Sequence, residues 1–328
     1  MKTSHPIRWV GVAAFQFAAL MPAVLAQAPY PSQQIKIICA FPAGGGTDIT
    51  SRLLGEQLHK ILGQPVIVDN RTGASGMVGT GAAAKSPPDG YTLLVASGEM
   101  AVNPHLYKQM AYDWEKDLQP ITLLVKVPNV LAVNADVPAR NIQELIAYAR
   151  DNPRKLTFSS SGIGNPQQLT GELFNKLAGV QIMHVPYKGA APQIADVAGK
   201  HITMTFVSIG AALPFIESGK LRPIAVTSAT RVAVLPNVPA IAEYPPLAGF
   251  ELVNFFGFYA PANLPDPILR KLNAAAVQGF KDPDVAAKLK GVGFEPATDT
   301  PEQFRDFIKA KSKQFARIIV DANVKLEQ

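Results

Sequence analysis

Ile35-Lys36-Ile37-Ile38-Cys39-Ala40-Phe41-Pro42-Ala43-Gly44-Gly45-Gly46-Thr47-Asp48-Ile49 passes from an apolar run, through three glycines, into a helical pattern. The run reads as a strand. After it, Thr47 is placed to cap a helix whose apolar positions Ile49, Leu53, Leu54, Leu58, Ile61 and Leu62 fall on one face, with Gly63 and Pro65 as its stop. Strand Val66-Ile67-Val68, a glycine-rich link over residues 73–81 and a strand over residues 91–96 follow. Strand, tight turn, helix and strand in that order predict an open α/β sheet wound on both faces.

The same alternation continues down the chain. Residues 121–134 are long enough for a strand that connects to a second lobe, in which helices over 141–151, 167–178 and 192–198 alternate with strands over 156–159, 182–185, 202–207 and 221–227. The apolar, aromatic segment 250–259 reads as a return crossing, and two helical patterns, 267–280 and 301–320, complete the first lobe. The expected division is residues 1–26 as a signal peptide, 27–128 with 250–328 as a discontinuous first lobe, and 129–249 as the second. Two crossings favour hinge motion between lobes.

The signal peptide is read from Lys2 and Arg8, an uncharged stretch from Trp9 to Met21, and Val24-Leu25-Ala26 as a small-residue cleavage site. That stretch is shorter than the roughly 20 residues of a membrane-spanning helix. Cleavage near Ala26 leaves 302 residues with 29 basic and 25 acidic side chains. The basic residues are scattered, which gives no footing for nucleic-acid binding. Cys39 is the one cysteine, so an internal disulfide is excluded, and its apolar surroundings suit a buried strand residue.

Several strand ends carry small donors. The three glycines can bring backbone close to a ligand, and the helix behind them offers free N–H groups and the positive end of its dipole, which suits an anion. A plain tight turn is the other reading of the same residues. Ala96-Ser97-Gly98 and Ser160-Ser161-Gly162 end one strand in each lobe, where open α/β sheets bind ligands, or else simply punctuate those strands. In His184-Val185-Pro186-Tyr187-Lys188-Gly189, Tyr187 can wall a cleft and Lys188 can pair with an anion or stand solvated. Enzyme signatures are scarce: the histidines lack metal-ligand spacing, and Gly73-Ala74-Ser75-Gly76-Met77 lacks the second glycine of a nucleophile elbow. No cofactor and no metal are expected.

Tyr30-Pro31, the turn from Phe41 to Asp48, the run from Gly63 to Arg71, Pro88-Asp89-Gly90-Tyr91-Thr92-Leu93-Leu94, His184 to Gly189 and Pro301-Glu302-Gln303-Phe304 stand together in this order and spacing. With them the chain closely resembles the Bug family, the periplasmic substrate-binding proteins of tripartite tricarboxylate transporters, over essentially the whole mature length. The resemblance implies a type II periplasmic-binding-protein-like α/β fold of two lobes around a ligand cleft, in a monomer of the periplasm. It implies capture of a di- or tricarboxylate, an aromatic carboxylate or an acidic amino acid, for a membrane permease or a sensor protein. An exported hydrolase on the same scaffold is the alternative. Carried over residue by residue, it points to Phe41, Ala43, Gly44, Gly45, Thr47 and Asp48 on one side. Ser97, Ser161, Gly162, Asn165, Tyr187 and Lys188 are the expected neighbours. Family members often have Phe-Asp where this chain has Phe206-Val207, and the loop from Gly162 to Pro166 also departs from the usual one, so selectivity is expected at Val207 and Ile163. A bulky residue at Gly45 should abolish binding of every ligand, whereas a change at Val207 should alter preference; titration of both variants with one panel of acids separates the two.

Overall fold

The computed structural model describes Met1 and residues 30–324; the expected signal peptide lies outside the described residues. In the first stretch, β1 (Ile35–Cys39), α1 (Gly46–Leu62), β2 (Val66–Asn70), α2 (Met77–Ala84), β3 (Thr92–Ser97), α3 (Glu99–Leu106), α4 (Trp114–Asp117) and β4 (Leu118–Val127) follow one another. Then come β5 (Asn129–Asn134), α5 (Ile142–Asp151), β6 (Thr157–Ser160), α6 (Pro166–Ala178), β7 (Met183–Pro186), α7 (Ala190–Ala198), β8 (Met204–Ser208), α8 (Ile209–Glu217) and β9 (Leu221–Val226). The chain returns through β10 (Asn254–Pro261), α9 (Asp266–Phe280), α10 (Pro283–Gly291), β11 (Glu295–Pro296) and α11 (Pro301–Asp321).

These strands build two sheets, ordered β11-β4-β10-β3-β1-β2 and β7-β6-β8-β5-β9. In each, three strands run parallel and a fourth, β10 or β5, is antiparallel to them. Both sheets are covered on both faces. Ile35, Ile37, Leu93 and Val95 of the first pack with Leu54, Leu58 and Leu272 of α1 and α9, while Ile38, Leu94 and Ala96 meet Phe304, Ile308 and Phe315 of α11 on the other side. In the second sheet, Leu131, Phe158 and Phe206 face Leu145 and Phe174, and Val130 and Val207 face Ile194, Val197 and Ile209. Double-sided burial explains why these strands read as continuous apolar runs instead of alternating ones. Helix α6 serves both lobes, with Leu169 in a first-lobe cluster and Phe174 in a second-lobe cluster.

The single connecting strand expected over residues 121–134 is two strands in different sheets. Pro128 separates β4 from β5, and a residue without an N–H cannot carry a ladder through. The second crossing lies beside it: Asn129 N–H donates to Thr227 Oγ1 at 3.0 Å, Thr227 N–H returns to Asn129 O at 2.9 Å, and Leu252 N–H reaches Thr227 O at 3.1 Å. The link expected over 73–81 is mostly helix α2, whose small residues give no apolar period to read. No helix among the described residues is long and apolar enough to cross a membrane.

Asp299, ahead of α11, accepts from Leu123 N–H at 2.9 Å and Thr122 Oγ1 at 3.2 Å. Burial nevertheless pushes its carboxyl up to about 6, against those hydrogen bonds. A raised carboxyl stabilises the fold below its unfolded value near 4 and loses that contribution as pH rises through 6. Asp299→Asn should therefore gain on the order of 1 kcal/mol over the parent at pH 7.5 and flatten the decline between pH 4 and 6, read from urea melts across pH.

Candidate functional site

The glycine turn lies between the end of β1 and the start of α1. Each glycine answers a different demand. Gly44 sits at φ +79°, and a Cβ at Gly46 would come within 2.8 Å of the Phe294 ring and 3.1 Å of Phe256. Gly45, at φ −78°, is the N-cap, and no side chain caps the helix. Thr47, expected as the cap, is instead inside the first turn and buried, where its carbonyl accepts from Ser51 Oγ at 2.7 Å. The opening N–H groups of α1 consequently remain available at its positive end, beneath the exposed backbone of Ala43, Gly44 and Gly45, while Phe41 is half-buried.

Asp48 is 3% exposed, and its carboxylate is tucked beneath the turn against Gly44 N–H. Its Oδ2 accepts from Gly44 N–H at 2.9 Å and Arg52 Nε at 3.0 Å; its Oδ1 accepts from Asn70 Nδ2 at 2.9 Å and Arg52 Nη2 at 2.9 Å. Burial raises the carboxyl pKa, but the donors from Arg52, Gly44 and Asn70 outweigh it and hold the group below the ordinary value. The Asp48 carboxylate thus braces the turn from beneath. Asn70 also donates to Phe41 O at 3.0 Å, which fixes the other end of the turn.

Across from the turn, the loop after β6 consumes its own polar side chains. Asn165 caps α6 through Gln168 N–H at 2.9 Å and donates to Ser161 Oγ at 2.8 Å, while Gln167 Oε1 accepts from Ser161 N–H at 2.9 Å and Ser161 Oγ at 3.0 Å. Gly162 and Gly164 stand at φ +154° and +73°, so the loop turns its backbone outward over a fixed frame. Ser160 Oγ donates to Gly162 O at 2.9 Å and lies 2.7 Å from His184 Nε2, which assigns the imidazole proton to Nε2. Burial pushes His184 down to about 4, so it is neutral at pH 7.

Tyr187 N–H donates to Ser160 O at 2.9 Å, and its hydroxyl donates to Asp196 Oδ2 at 2.6 Å; burial, with Asp196, raises the phenol to about 12. Lys188 is exposed and has no ion-pair partner among the described residues. Ser97 is buried, with its hydroxyl donating to the Glu99 carboxyl, itself buried and raised in pKa by desolvation. Val207 is 0% exposed within the cluster of Val130, Ile194 and Ile209. It alternates with Phe206 on a strand covered on both faces, and the structure places it in the core of the second lobe.

The lobes touch on both flanks of the turn. On one, Ser75 Oγ donates to Ile163 O at 3.3 Å, and a Cβ at Gly98 would stand 3.3 Å from Pro166. On the other, Gly210 abuts Val292, and Gly293 abuts Ile209 and Val234, next to the Phe294 ring that packs on Gly46. The loops after β2 and β3 therefore meet the loop after β6, and the segment before β11 meets the start of α8. Sequence reading missed the Ser75 contact, Phe294, and Asn254, whose Oδ1 accepts from Gly98 N–H at 3.1 Å. Two open grooves, 590 Å³ beside Arg52 and His59 and 620 Å³ beside Lys176 and Asp321, contain none of these loop residues. Among the described residues, no group of three or more His, Cys, Asp or Glu is placed to hold a metal.

Residues 50–324 match the family model described as the tripartite tricarboxylate transporter family receptor. Protein BugT of Bordetella pertussis is 34% identical, over 91% of this chain and 92% of BugT. Two solved structures of Rhodopseudomonas palustris proteins are similar: Rpa4515 with adipate (34% identity, TM-score 0.85, 90% of this chain and 99% of the other) and MatC with bound malate (26% identity, TM-score 0.79, 88% and 100%). With two α/β lobes facing each other across an uncapped glycine turn, and with relatives matched along nearly their full length, the chain belongs to the tripartite tricarboxylate transporter receptor family, whose members include the Bug proteins.

Proposed function

We propose that this protein captures a small organic carboxylate between its lobes in the periplasm, after cleavage near Ala26, and delivers it to a membrane permease without turnover. The observation that carries the reading is the uncapped start of α1 under the exposed Ala43-Gly44-Gly45 backbone. A carboxylate oxygen there meets neutral N–H donors and a positive helix end. Asp48 does not repel it, because Arg52 neutralises that charge from below. The ligands of Rpa4515 and MatC, adipate and malate, are both dicarboxylates, which supports an acid with a second carboxylate. Phe41, Ala43, Gly45 and Thr47 hold the first carboxylate beside Gly44, whose N–H stays with Asp48, and the backbone at Ser161, Gly162 and Asn165 closes over it. Tyr187 and Lys188 meet the remainder.

Capture by neutral donors avoids desolvating a lysine or arginine, whose pairing can cost as much as it returns. Release then stays easy. Two serine–histidine contacts stand at 2.7 Å among the described residues, and a hydrolytic reading would need Ser160–His184, the pair on the loops after β6 and β7, since His105–Ser312 joins α3 to α11. Ser160 is 0% exposed, and its proton is engaged by Gly162 O. Binding without chemistry is favoured.

A thermal-shift panel of adipate, malate, citrate, glutamate, benzoate and glucose tests this. At about a thousand times Kd, a bound acid adds about 4 kcal/mol, on the order of 10 °C. A shift with glucose and none with any acid sinks the proposal. Asp48→Asn, which sets an amide NH₂ against the donors of Arg52 and Asn70, should lose about 1–3 kcal/mol of stability and weaken every acid together. Stability equal to the parent, with binding unchanged, would show that the brace is idle.

A further inference from the structure

Four consecutive residues, Gly73, Ala74, Ser75 and Gly76, have positive φ, at +133°, +45°, +50° and +80°. Ala74 and Ser75 have side chains, so the left-handed backbone is held there against its preference. Two hydrogen bonds hold it. Asn103, 0% exposed, donates from Nδ2 to Ser75 O at 3.1 Å, and Met77 N–H donates to Ala74 O at 3.0 Å. Gly76 lies against Phe41, with the ring 3.1 Å from where a Cβ would stand, so this loop also backs the glycine turn.

The strained backbone presents the Ser75 hydroxyl to the other lobe. Its proton goes to Ile163 O at 3.3 Å, and Tyr107 O–H, at 3.3 Å, is left to donate to Ser75 Oγ. Ile163 is the centre of the loop from Ser161 to Asn165, between the two glycines at positive φ. One hydroxyl thus joins the loop that backs the turn to the loop that covers it. Adjacent side chains do not duplicate it: Ser161, Asn165 and Gln167 are engaged within their own loop.

We propose that Ser75 is a positioning residue, an interlobe latch that holds the Ile163 loop over the glycine turn and sets how long the bound carboxylate stays, without contacting it. This rests on the carboxylate reading. It assigns Ser75 to the lifetime of the complex and leaves selectivity to other residues. A latch of this kind acts on dissociation, because its bond is made only when the lobes meet.

Ser75→Gly removes the hydroxyl and relaxes the backbone; Ser75→Asn restores a donor on a side chain that tolerates the left-handed region. The expected result for Ser75→Gly is an unliganded Tm equal to or above the parent's. Adipate and malate should each leave about three- to tenfold faster by stopped-flow, by one common factor and with unchanged association, as loss of one hydrogen bond implies. Small-angle X-ray scattering should show a larger radius of gyration. Ser75→Asn should recover at least half of the lost lifetime. Dissociation within twofold of the parent, loss confined to one of the two acids, or no recovery in Ser75→Asn overturns the latch. If the parent binds neither acid, the acid of the thermal-shift panel that it does bind replaces them; if it binds none of that panel, the carboxylate reading fails, and the latch stands or falls on whether Ser75→Gly enlarges the unliganded protein.

Discussion

The carboxylate of Asp48 is out of water, and an isolated buried charge of that kind is prohibitive unless hydrogen bonds replace its hydration. Gly44 N–H, both ends of the Arg52 guanidinium and Asn70 supply them. Meeting that demand shapes the site. Gly44 is drawn down onto the carboxylate, which bends the turn so that Ala43 and Gly45 face outward. Asn70, shared with Phe41 O, ties the turn to the end of β2. Phe41 then supports Gly76, and the loop of Gly76 reaches the second lobe at Ile163. The anion site is therefore organised by an anion beneath it, with Arg52 keeping the local charge balanced.

The sheet topology explains why such a turn is matched by a second loop of the same kind. Setting β11 aside, the orders β2-β1-β3-β10-β4 and β7-β6-β8-β5-β9 are the same arrangement. In both, the antiparallel strand is the one that has just crossed from the other lobe. Its N-terminal end lies at the carboxyl ends of the parallel strands, so Asn129 and Asn254 start at the cleft edge of their sheets. The crossings are the shortest route between the two sets of loops, and they are bonded to each other through Asn129 and Thr227.

The two-lobed α/β fold was legible because helices cover both faces of each sheet, which leaves strands as unbroken apolar runs set between turns. The same covering hid other features. Helix α2 is rich in glycine and alanine and buries little, so it lacks a period, and α8, Ile209–Glu217, is apolar on nearly all sides. Thr47 looked like a cap because hydroxyl residues commonly cap helices, yet helix α1 begins one residue before it, with a glycine at the cap. Val207 shows the limit most clearly. A strand buried on both faces gives no sign of which residue turns toward a cleft, and the neighbour at Phe206 is as buried as Val207. The Ser75 contact was beyond reach, since a single hydroxyl 88 positions from its acceptor leaves no pattern.

Selectivity then has to be located by elimination among groups that remain free. In the second lobe, the side chains of Ser161, Asn165, Gln167 and Gln168 are bonded to their own loop, and Ser160 and His184 are bonded to each other. None of them can change partners for a particular acid without dismantling the frame. The glycine turn offers only backbone, which recognises a carboxylate but not what is attached to it. In the proposed site, Ile163, half-buried between two glycines, the ring of Tyr187, tethered at its hydroxyl by Asp196, and the exposed ammonium of Lys188 are the groups left to read the rest of the ligand. One is apolar, one aromatic and one cationic, and they sit on two adjacent loops at the ends of β6 and β7. The proposed site would separate holding from choosing: the first lobe would grip a carboxylate by backbone, and changes on two loops of the second would redirect it to another acid while the fold beneath stays the same.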